Sequence, residues 1–417
     1  MTFYKIDINI AVTMAMLPHL MTPMMPTGDG HLEDLARDVL SHSAKLSGML
    51  APKSQIGVIE LIRLINSYYS NLIEGRNTHP SEIERAMRND YAAEPAKRNL
   101  QLESLAHIHC QKSIDERLAK EPDLDPSSPE FLSWVHGQFY AQLPEELKWV
   151  ENPDTGEKIK VIGGEFRKRH VAVGEHIPPE YEALPMFLDR FHQTYKKGVF
   201  HGVKPLIAFA AAHHRLMWIH PFLDGNGRVA RLYTDACFRT FPVEGYGLWN
   251  VSRGLARNRE GYMRCLDEAD APRQGALDGR GNLSNRTLMQ FCDFFLRTCL
   301  DQIEYMTGML QLQDLLDRIT GYVQARNDKR IPPPPGHAPG MKMDAAKILQ
   351  DVLLRGEMGR GEAAASATTP RTGREVLAQL VAEGILVSSM PKSPVRLAFP
   401  THLAGHLFPQ LYPMGAR

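Results

Sequence analysis

HPFLDGNGRVAR, which spans residues 220 to 231, is the stretch of sequence that decides the fold. A helix predicted before it has to stop at Ile219 or His220, because the residue that precedes a proline is pushed out of the α region. The glycines Gly225 and Gly227 allow the backbone to come close to an anion, and a second helix begins near Asn226. The stretch therefore predicts two helices joined by a tight loop, with the imidazole of His220 exposed at the loop edge.

The residue types in this loop suit phosphate chemistry. A helix N-terminus that follows a glycine-containing loop binds phosphate through unpaired N–H groups and the helix dipole. Arg228 and Arg231 are three residues apart and project from one face of the helix, which suits a polyphosphate. Asp224 offers a hard oxygen ligand for Mg²⁺. We interpret His220 as a base that takes the proton of an attacking hydroxyl, while the loop amides and Asn226 hold the phosphate under attack.

Composition places the chain among globular proteins. It has 417 residues, of which 43% are hydrophobic and 23% charged, enough for two or three domains. Lys plus Arg and Asp plus Glu are both 48, so the charge balance argues against a protein dominated by non-specific nucleic-acid binding. The five cysteines, at 110, 237, 265, 292 and 299, show no C-x-x-C spacing. We expect buried reduced thiols rather than disulfides or a zinc site.

The first residues do not have the pattern of a membrane segment. An apolar run from Ile10 to Met25 is broken by Pro18 and Pro23, and it is shorter than the roughly 20 apolar residues that a membrane span needs. A signal peptide requires a basic start, which Lys5 supplies poorly. We therefore expect a cytoplasmic protein.

Apolar residues at helical spacing predict a mainly helical chain. The predicted helices are Val58–Gly75, Ser104–Leu118, Pro129–Ala141, Pro179–Tyr195, Pro205–Ile219, Gly227–Phe238 and Leu288–Leu316. Asn152–Gly174 differs from these, because it alternates short apolar runs with glycine pairs, and we predict a hairpin or flap there.

A proline-rich linker separates the C-terminal part of the chain. Residues 331–340 read IPPPPGHAPG, which cannot continue a helix. Three helices and a hairpin are predicted after it, in the order of a winged helix: Asp344–Leu354, Gly361–Ala367, Arg371–Glu383, Ile385–Ser389 and Val395–Phe399. The third helix carries two arginines and two glutamates, which favours protein binding or packing over DNA binding.

The segment HPFLDGNGRVAR matches the whole signature of the Fic family, H-P-F-x-[D/E]-G-N-G-R-x-x-R, and the chain resembles that family from about Ala51 to Arg318. The resemblance implies an all-helical core and a protein adenylyltransferase that moves AMP from Mg²⁺-ATP to a Ser, Thr or Tyr hydroxyl of a protein, including its own chain. It implies His220 as the base and Asp224 as the Mg²⁺ ligand. Gly225, Asn226 and Gly227 would form the anion hole for the α-phosphate, and Arg228 and Arg231 would hold the distal phosphates. The related Doc kinases have lysine where Gly227 stands, so glycine favours AMP transfer.

A second motif resembles the inhibitory helix of the family, [S/T]-x-x-x-E-[G/N]. Residues 70–75 read SNLIEG, and the resemblance implies that Glu74, with Ser70, blocks ATP by pairing with Arg231. The same residues read by themselves also describe a helix that simply ends at Gly75.

Further residues resemble less specific parts of the family. Gly164, Glu165, Phe166 and Arg167, with residues 171–174, resemble the flap hairpin that positions a target by strand pairing; an ordinary surface hairpin is the alternative. Tyr262, Leu266, Ala269 and Asp270 resemble the helix beside the adenine pocket, although many relatives have asparagine in place of Asp270. His213 and His214, on an alanine-rich helix, are expected to pack or to form hydrogen bonds rather than bind a ligand.

These observations divide the chain into four predicted regions: an N-terminal helical region over 1–115 with the inhibitory helix, a Fic core over 116–320, a linker over 321–340 and a winged-helix-like domain over 341–417. Two alternatives to AMP transfer stay open. The same site could remove AMP, with Glu74 orienting a water molecule, or the chain could be a nucleotide-sensing, DNA-binding regulator. A homodimer is compatible with the sequence, which gives no basis for choosing a dimer face.

Overall fold

The structure is a computed structural model, and it describes residues 4–6, 17–28, 30–152 and 155–413. Within these ranges the chain forms sixteen α-helices and six strands of two or three residues. The helices are α1 (Gly30–Ser47), α2 (Pro52–Ile73), α3 (Pro80–Met87), α4 (Pro95–Lys120), α5 (Pro129–Ala141), α6 (Leu184–Tyr195), α7 (Lys204–Ile219), α8 (Asn226–Thr240), α9 (Val251–Arg257), α10 (Arg259–Glu268), α11 (Asn285–Met309), α12 (Leu312–Asn327), α13 (Asp344–Arg355), α14 (Arg360–Ala365), α15 (Pro370–Ala382) and α16 (Thr401–Leu407).

The strands form three separate antiparallel pairs. They are β1 (Tyr4–Ile6) with β4 (Val171–Val173), β2 (Trp149–Glu151) with β3 (Lys158–Lys160), and β5 (Leu386–Val387) with β6 (Arg396–Leu397). The prediction of a mainly helical fold with only short β-structure is confirmed.

The two helices at the motif lie at the centre of the molecule. All but three residues of α7 are buried, and α8 is buried from Asn226 to Phe238. They pack against each other, and α7 also packs on α11, α6 and α1. Because other helices pack around both of them, the loop between α7 and α8 has a rigid support.

One predicted helix is wrong. The apolar pattern over Leu288–Leu316 runs through two helices, α11 and α12, and the chain turns at Leu310 and Gln311. The side chain of Arg318 hydrogen-bonds to the carbonyl of Met309 at the end of α11. This bond satisfies a carbonyl that has no partner within the helix, so α11 can end without a glycine or proline signal.

The predicted hairpin over residues 152–174 is not a single hairpin, because its two strands pair with different partners. Strands β2 and β3 form a hairpin nearer to α5, while residues 164–167 form turn and irregular backbone rather than a strand. β4 does not pair with residues 164–167 but with β1, whose Lys5 lies opposite Ala172. Pairing with a segment about 165 residues away could not be read from a local pattern.

Helix α2 is enclosed on two sides. It packs on α4, α8 and α9 of the core, and on α13 and β6 from the C-terminal part of the chain. The hydroxyl of Tyr69 donates to the carbonyl of Leu411 at 3.0 Å, and that of Ser54 donates to the carbonyl of Leu353 at 2.7 Å. The C-terminal part is therefore anchored directly to the helix that carries Ser70 and Glu74.

The C-terminal part has the predicted element order. Residues 331–340 contain no helix or strand, and α13, α14, α15 and the β5–β6 hairpin follow. Arg326 of α12 forms a two-pronged ion pair with Glu383, each bond 2.9 Å long, and both side chains are fully buried. Such a pair fixes orientation, because each charge would be left unpaired if the contact opened. The likeness to a winged helix stays a prediction.

The N-terminal apolar run is only partly described. Its first residues, up to Met16, lie outside the described residues, whereas Met21 and Met24 are buried in the core. Among the described helices, we find none that is both long enough and apolar enough to cross a membrane.

Candidate active site

His220 is held in an unusual backbone conformation at the end of α7. It has φ +48° and ψ +62°, in the left-handed region, and its N–H donates to the carbonyl of Leu216 at 3.1 Å. The sequence predicts an exposed imidazole, and this prediction is wrong: the residue is 1% exposed. Burial, with the nearby charge of Arg167, lowers the pKa of His220 to about 3. The imidazole is therefore neutral at pH 7 and able to accept a proton.

Arg167 holds the backbone of the motif loop. Its Nε donates to the carbonyl of His220 at 2.8 Å, and its own N–H donates to the carbonyl of Pro221 at 2.9 Å. The side chain is almost fully buried and also donates to the carbonyls of Arg169 and Pro179. Of the four predicted flap residues, Arg167 thus connects the flap segment to the loop.

The loop is closed by the side chain of Asn226. Its Oδ1 accepts the N–H of Phe222 at 2.9 Å and its Nδ2 donates to the carbonyl of Phe222 at 2.8 Å. We expected Asn226 to hold phosphate oxygens, but both ends of its amide are used to close the loop. Anion binding then falls to the backbone N–H groups of the first turn of α8, which have no partner within the helix.

The carboxylate of Asp224 lies between two donors. Oδ2 accepts the hydroxyl of Tyr140 at 2.6 Å and lies 3.4 Å from Nη2 of Arg228. Burial opposes ionisation of Asp224, but the charge of Arg228 and the hydrogen bond from Tyr140 outweigh it and lower its pKa. The described residues contain no cluster of three or more side chains that could hold a metal ion. An ionised single carboxylate fits Mg²⁺, which binds through one or two carboxylates and substrate phosphates.

His136 of α5 supports both the loop and the flap segment. Its Nδ1 accepts the N–H of Gly164 at 2.8 Å, so the neutral ring carries its proton on Nε2 and donates to the carbonyl of Asp224 at 3.2 Å. The ring stacks on Phe222 with centroids 4.0 Å apart, and Phe166 packs against the same phenyl ring from 5.3 Å. Burial lowers the pKa of His136 to about 4. The remaining predicted flap residue, Glu165, pairs with Lys168 at the surface.

The guanidinium of Arg228 contacts two acidic side chains and one aromatic ring. Nη1 donates to Glu103 at 3.3 Å, Nη2 faces Asp224, and the guanidinium lies 4.8 Å from the ring centre of Phe139. The pKa of Arg228 is raised, because the charges of Asp224 and Glu103 outweigh the effect of burial. Glu103 is itself buried, so this arginine has a counter-charge already in place.

Residues at the end of α2 accept hydrogen bonds from the guanidinium of Arg231. Nε donates to the hydroxyl of Ser70 at 2.9 Å, and Nη2 donates to the carbonyl of Ser70 at 3.0 Å and to Glu74 Oε1 at 2.6 Å. The helix ends in a Schellman turn, in which Gly75, at φ +79°, donates to Leu72 and Arg76 donates to Asn71. The two interpretations of residues 70–75, an inhibitory motif and a simple helix end, are therefore compatible. The turn that ends α2 at Gly75 also places Glu74 against Arg231.

Gly227 lets the carboxylate approach α8. A Cβ atom at this position would lie 2.3 Å from Glu74 Oε1 and 3.1 Å from Arg231 Nη1. A side chain at Gly227 would therefore displace Glu74 from its present position.

A cavity of about 180 Å³ joins these groups. It is lined by Glu74, Val173, Gly174, His176, His214, Met217, Trp218, His220, Gly227, Arg231, Tyr262, Met263, Leu266, Asp267 and Asp270. The predicted base, the second arginine and the predicted inhibitory glutamate thus meet around one space with three of the four residues predicted beside the adenine pocket; Ala269 does not line it.

Hydrogen bonds from the core hold the polar residues of this wall. Thr234 donates to the carbonyl of Ala230, so it accepts from His213 Nδ1 at 2.8 Å, and His213 Nε2 accepts from Tyr262 at 2.7 Å. Asp270 lies 3.1 Å from Nε2 of His214 and 3.4 Å from Nδ1 of His176. His213 thus acts as an interior hydrogen-bonding residue, whereas His214 also reaches the cavity.

Part of the chain is similar in sequence to known proteins. A family model described as the Fic/DOC family matches residues 128–237. Over 77 residues the chain is 43% identical to the Protein adenylyltransferase Fic of Drosophila grimshawi and 44% identical to that of Drosophila erecta. The aligned part is 18% of this chain and 16% of each relative, so the chain spans about a sixth of the length of these curated relatives.

Solved structures agree in fold. Fic-1 of C. elegans has a TM-score of 0.52 at 14% identity, covering 68% of this chain and 74% of that one. A Fic family protein from Desulfovibrio desulfuricans G20 has a TM-score of 0.51 at 16% identity, covering 89% of this chain and 97% of that one. The family match places a Fic/DOC domain at residues 128–237, and the solved structures agree with the chain in fold.

Several residues of the site were missed by sequence reasoning. Glu103, His136, Tyr140 and His176 come from α4, α5 and the loop after β4, far from the motif in sequence. One signal was available in part: His136 and Tyr140 are four residues apart and so share one face of a predicted helix. Nothing local indicated which residue that face would meet.

Proposed function

We propose that the protein transfers AMP from Mg²⁺-ATP to a hydroxyl group of a protein, and that Glu74 inhibits this transfer. The observation that carries the proposal is the cavity in which His220, the N-terminal turn of α8 and the Arg231–Glu74 pair meet. The curated relatives named as protein adenylyltransferases support the same chemistry.

The residues have distinct parts in the proposed reaction. A substrate hydroxyl attacks the α-phosphorus, the bond to the β-phosphate oxygen breaks, and pyrophosphate leaves. His220, neutral because of burial, accepts the hydroxyl proton. The N–H groups of Asn226 and Gly227 bind the α-phosphate oxygens, and Arg228 and Arg231 bind the distal phosphates. Mg²⁺ held by Asp224 would offset the negative charge of the leaving pyrophosphate.

The inhibition follows from competition for one guanidinium. Arg231 is 3% exposed, and Glu74 and Ser70 accept its Nη2 and Nε hydrogens. Distal phosphates of ATP need the same donors, so productive binding has to displace Glu74. The carboxylate itself is 20% exposed and faces the cavity, which leaves it room to move.

The test uses ATP labelled at the α-phosphate with three proteins: wild type, Glu74→Gly and Glu74→Gly/His220→Ala. We expect strong labelling of protein by Glu74→Gly, weak labelling by wild type and none by the double variant. Absence of label on the chain and on added lysate proteins with all three would contradict AMP transfer. Equal labelling by wild type and Glu74→Gly would contradict only the inhibition.

A second candidate function is removal of AMP by the same site. The observation that favours it is that Glu74 lines the cavity together with His220, where a carboxylate could orient a water molecule. Incubating an AMP-modified protein with wild type and with Glu74→Gly separates the two functions. Release of AMP by wild type that is lost in Glu74→Gly would favour removal.

A further inference from the structure

Residues 408–413 follow α16 and contact α2, α9 and α11, and we call this segment the strap. Its side chains Phe408, Leu411 and Tyr412 are buried. Gln410 has φ +64°, in the left-handed region. A residue other than glycine keeps this conformation only where the surrounding contacts fix it. The strap is therefore a fixed part of the packed core.

Side chains of the core hold the backbone of the strap. Arg253 of α9 donates from Nη2 to the carbonyl of Gln410 at 2.8 Å and from Nε to the carbonyl of Leu411 at 3.2 Å. Its guanidinium lies 3.8 Å from the ring centre of Tyr305, whose hydroxyl donates to the carbonyl of Pro409 at 2.9 Å. Three consecutive carbonyl groups of the strap are thus bound by side chains from other helices.

The side chain of Leu411 is the apolar anchor of the strap. It is fully buried, and it borders a small interior cavity together with Ile62 and Ile65 of α2 and with Trp249 and Met306. Removal of a buried side chain leaves a cavity that its neighbours fill only in part. Loss of Leu411 would therefore loosen the packing directly beside α2.

A direct hydrogen bond joins the strap to the inhibitory end of α2. The hydroxyl of Tyr69 donates to the carbonyl of Leu411 at 3.0 Å. The next residue is Ser70, whose hydroxyl and carbonyl accept hydrogen bonds from Arg231. Glu74 follows one helical turn later and accepts a bond from the same guanidinium. Because these residues share one helical backbone, a displacement of Tyr69 also displaces Ser70 and Glu74.

The strap is also tied to the C-terminal part of the chain. The hydroxyl of Tyr412 donates to the carbonyl of Thr401, at the start of α16, at 2.7 Å. α16 packs on α12 and on α3, and the N–H of Thr401 donates to Glu84 of α3 at 3.2 Å. A movement of the C-terminal part therefore reaches the strap, and through the strap it reaches α2.

We propose that the strap keeps Glu74 on Arg231 and that release of the strap from α2 activates AMP transfer. Contacts that exist in one of two arrangements shift the equilibrium toward that arrangement. The strap supports the arrangement in which ATP has to displace Glu74. Once the strap leaves, Tyr69 loses its carbonyl acceptor, and the turn over residues 70–75 opens more easily. This inference rests on the proposed inhibition by Glu74 and specifies how that inhibition is regulated.

The experiment measures labelling by full-length protein with Mg²⁺ and ATP labelled at the α-phosphate. Leu411→Ala is expected to raise labelling by about fivefold or more, the lower end of ordinary coupling between sites. Tyr69→Phe, which keeps the ring and removes only the hydrogen bond, should also raise labelling. Neither change should raise it further when it is combined with Glu74→Gly, because the inhibition has then already been removed.

Matched controls separate release of the strap from a general loss of stability. Leu380→Ala removes a fully buried leucine of α15 in the same C-terminal part of the chain. Tyr195→Phe removes a buried hydroxyl that donates to the carbonyl of Met24. We expect both controls to lower the Tm and to leave labelling at the level of wild type. Equal labelling by Leu411→Ala and Leu380→Ala would overturn the inference.

Hydrogen exchange tests the strap independently of the reaction. The backbone amides of residues 70–76 should exchange faster in Leu411→Ala than in wild type, and no faster in Leu380→Ala. Unchanged exchange at residues 70–76 would overturn the inference and leave AMP transfer intact. Absence of label with Glu74→Gly would contradict the proposed function instead, and the exchange rates would still decide whether the strap restrains α2.

Discussion

Arg231 donates to Glu74 at 2.6 Å and to the hydroxyl of Ser70 at 2.9 Å, so the predicted inhibitory motif and the second arginine of residues 220–231 form one hydrogen-bonded unit. The residues are about 160 positions apart in the chain. The unit joins the last turn of α2 to the first turns of α8.

Glu74→Gly is expected to make the protein less stable without nucleotide, because it leaves the buried Arg231 without its carboxylate partner. A hydrogen bond to a charged group contributes roughly 1.5–3 kcal/mol to the free energy of unfolding. Thermal denaturation should show a lower Tm for the variant, and Mg²⁺-ATP should raise its Tm more than that of wild type.

The matched control is Glu121→Gly. Glu121 also caps the end of a helix, but it is exposed and pairs with Arg117 at the surface. We expect a small loss of stability there and no change in the response to Mg²⁺-ATP. An equal nucleotide response in the two variants would mean that Glu74 does not compete with ATP.

Tyr140→Phe is expected to raise the Mg²⁺ concentration needed for half-maximal labelling by a few fold in the Glu74→Gly background. The hydroxyl of Tyr140 holds Asp224 Oδ2 at 2.6 Å and helps to lower the pKa of that carboxylate. Without it, Asp224 is less firmly oriented and its pKa rises. Labelling is measured as a function of Mg²⁺ at saturating ATP.

Tyr246→Phe provides the comparison for this change. Tyr246 donates to Asp235 at 2.7 Å, which makes a second partly buried tyrosine–aspartate pair, and Asp235 lies on the part of α8 that follows the motif. Its loss should lower Tm but leave the Mg²⁺ dependence unchanged. A similar shift in both variants would indicate general destabilisation rather than an effect on the metal site.

Arg231→Ala, made in the Glu74→Gly background, is expected to raise the KM for ATP by about tenfold or more, because a bidentate guanidinium–phosphate contact is lost. The kcat for labelling should fall less than kcat/KM. Steady-state labelling at several ATP concentrations measures both values. Arg239→Ala, which removes an arginine from the other end of α8, should leave the KM unchanged.

Stability is expected to fall as the pH drops below about 6.5, the ordinary pKa of histidine. Burial lowers the pKa of His107, His213 and His220 to about 3 and that of His136 to about 4. The unfolded chain therefore takes up protons that the folded chain does not, and the loss continues until the pH reaches the folded values. Thermal denaturation at pH 7.5, 6.5 and 5.5 measures the trend.

A variant tests the cause of this trend. His213→Gln removes one of these buried groups. The slope of the unfolding free energy against pH should therefore fall by an amount that corresponds to at most one bound proton. His201→Gln, at an exposed position, is the control. A slope that is the same in wild type and His213→Gln would contradict the assignment.

Local sequence patterns predicted much of this molecule because helical periodicity depends on neighbouring residues. The prediction for Pro129–Ala141 matches α5 at both ends, since Pro129 suits the first turn of a helix. The break between α11 and α12 was missed, because the cap of α11 comes from Arg318, a side chain nine residues further along. The flap was misjudged for a similar reason, since β4 pairs with β1, a strand about 165 residues earlier in the chain.

The sequence by itself determined the chemistry of residues 220 to 231 and the presence of a Ser70–Glu74 motif, because residue type and spacing within one loop or one helical turn are local properties. Only the tertiary structure decided that His220 is buried and neutral, that Asn226 closes the loop, and that Glu103, His136 and Tyr140 support it. Burial and hydrogen-bond partners depend on which helices meet in space. A pKa, a counter-charge or an occupied sheet edge is therefore set by packing between distant segments.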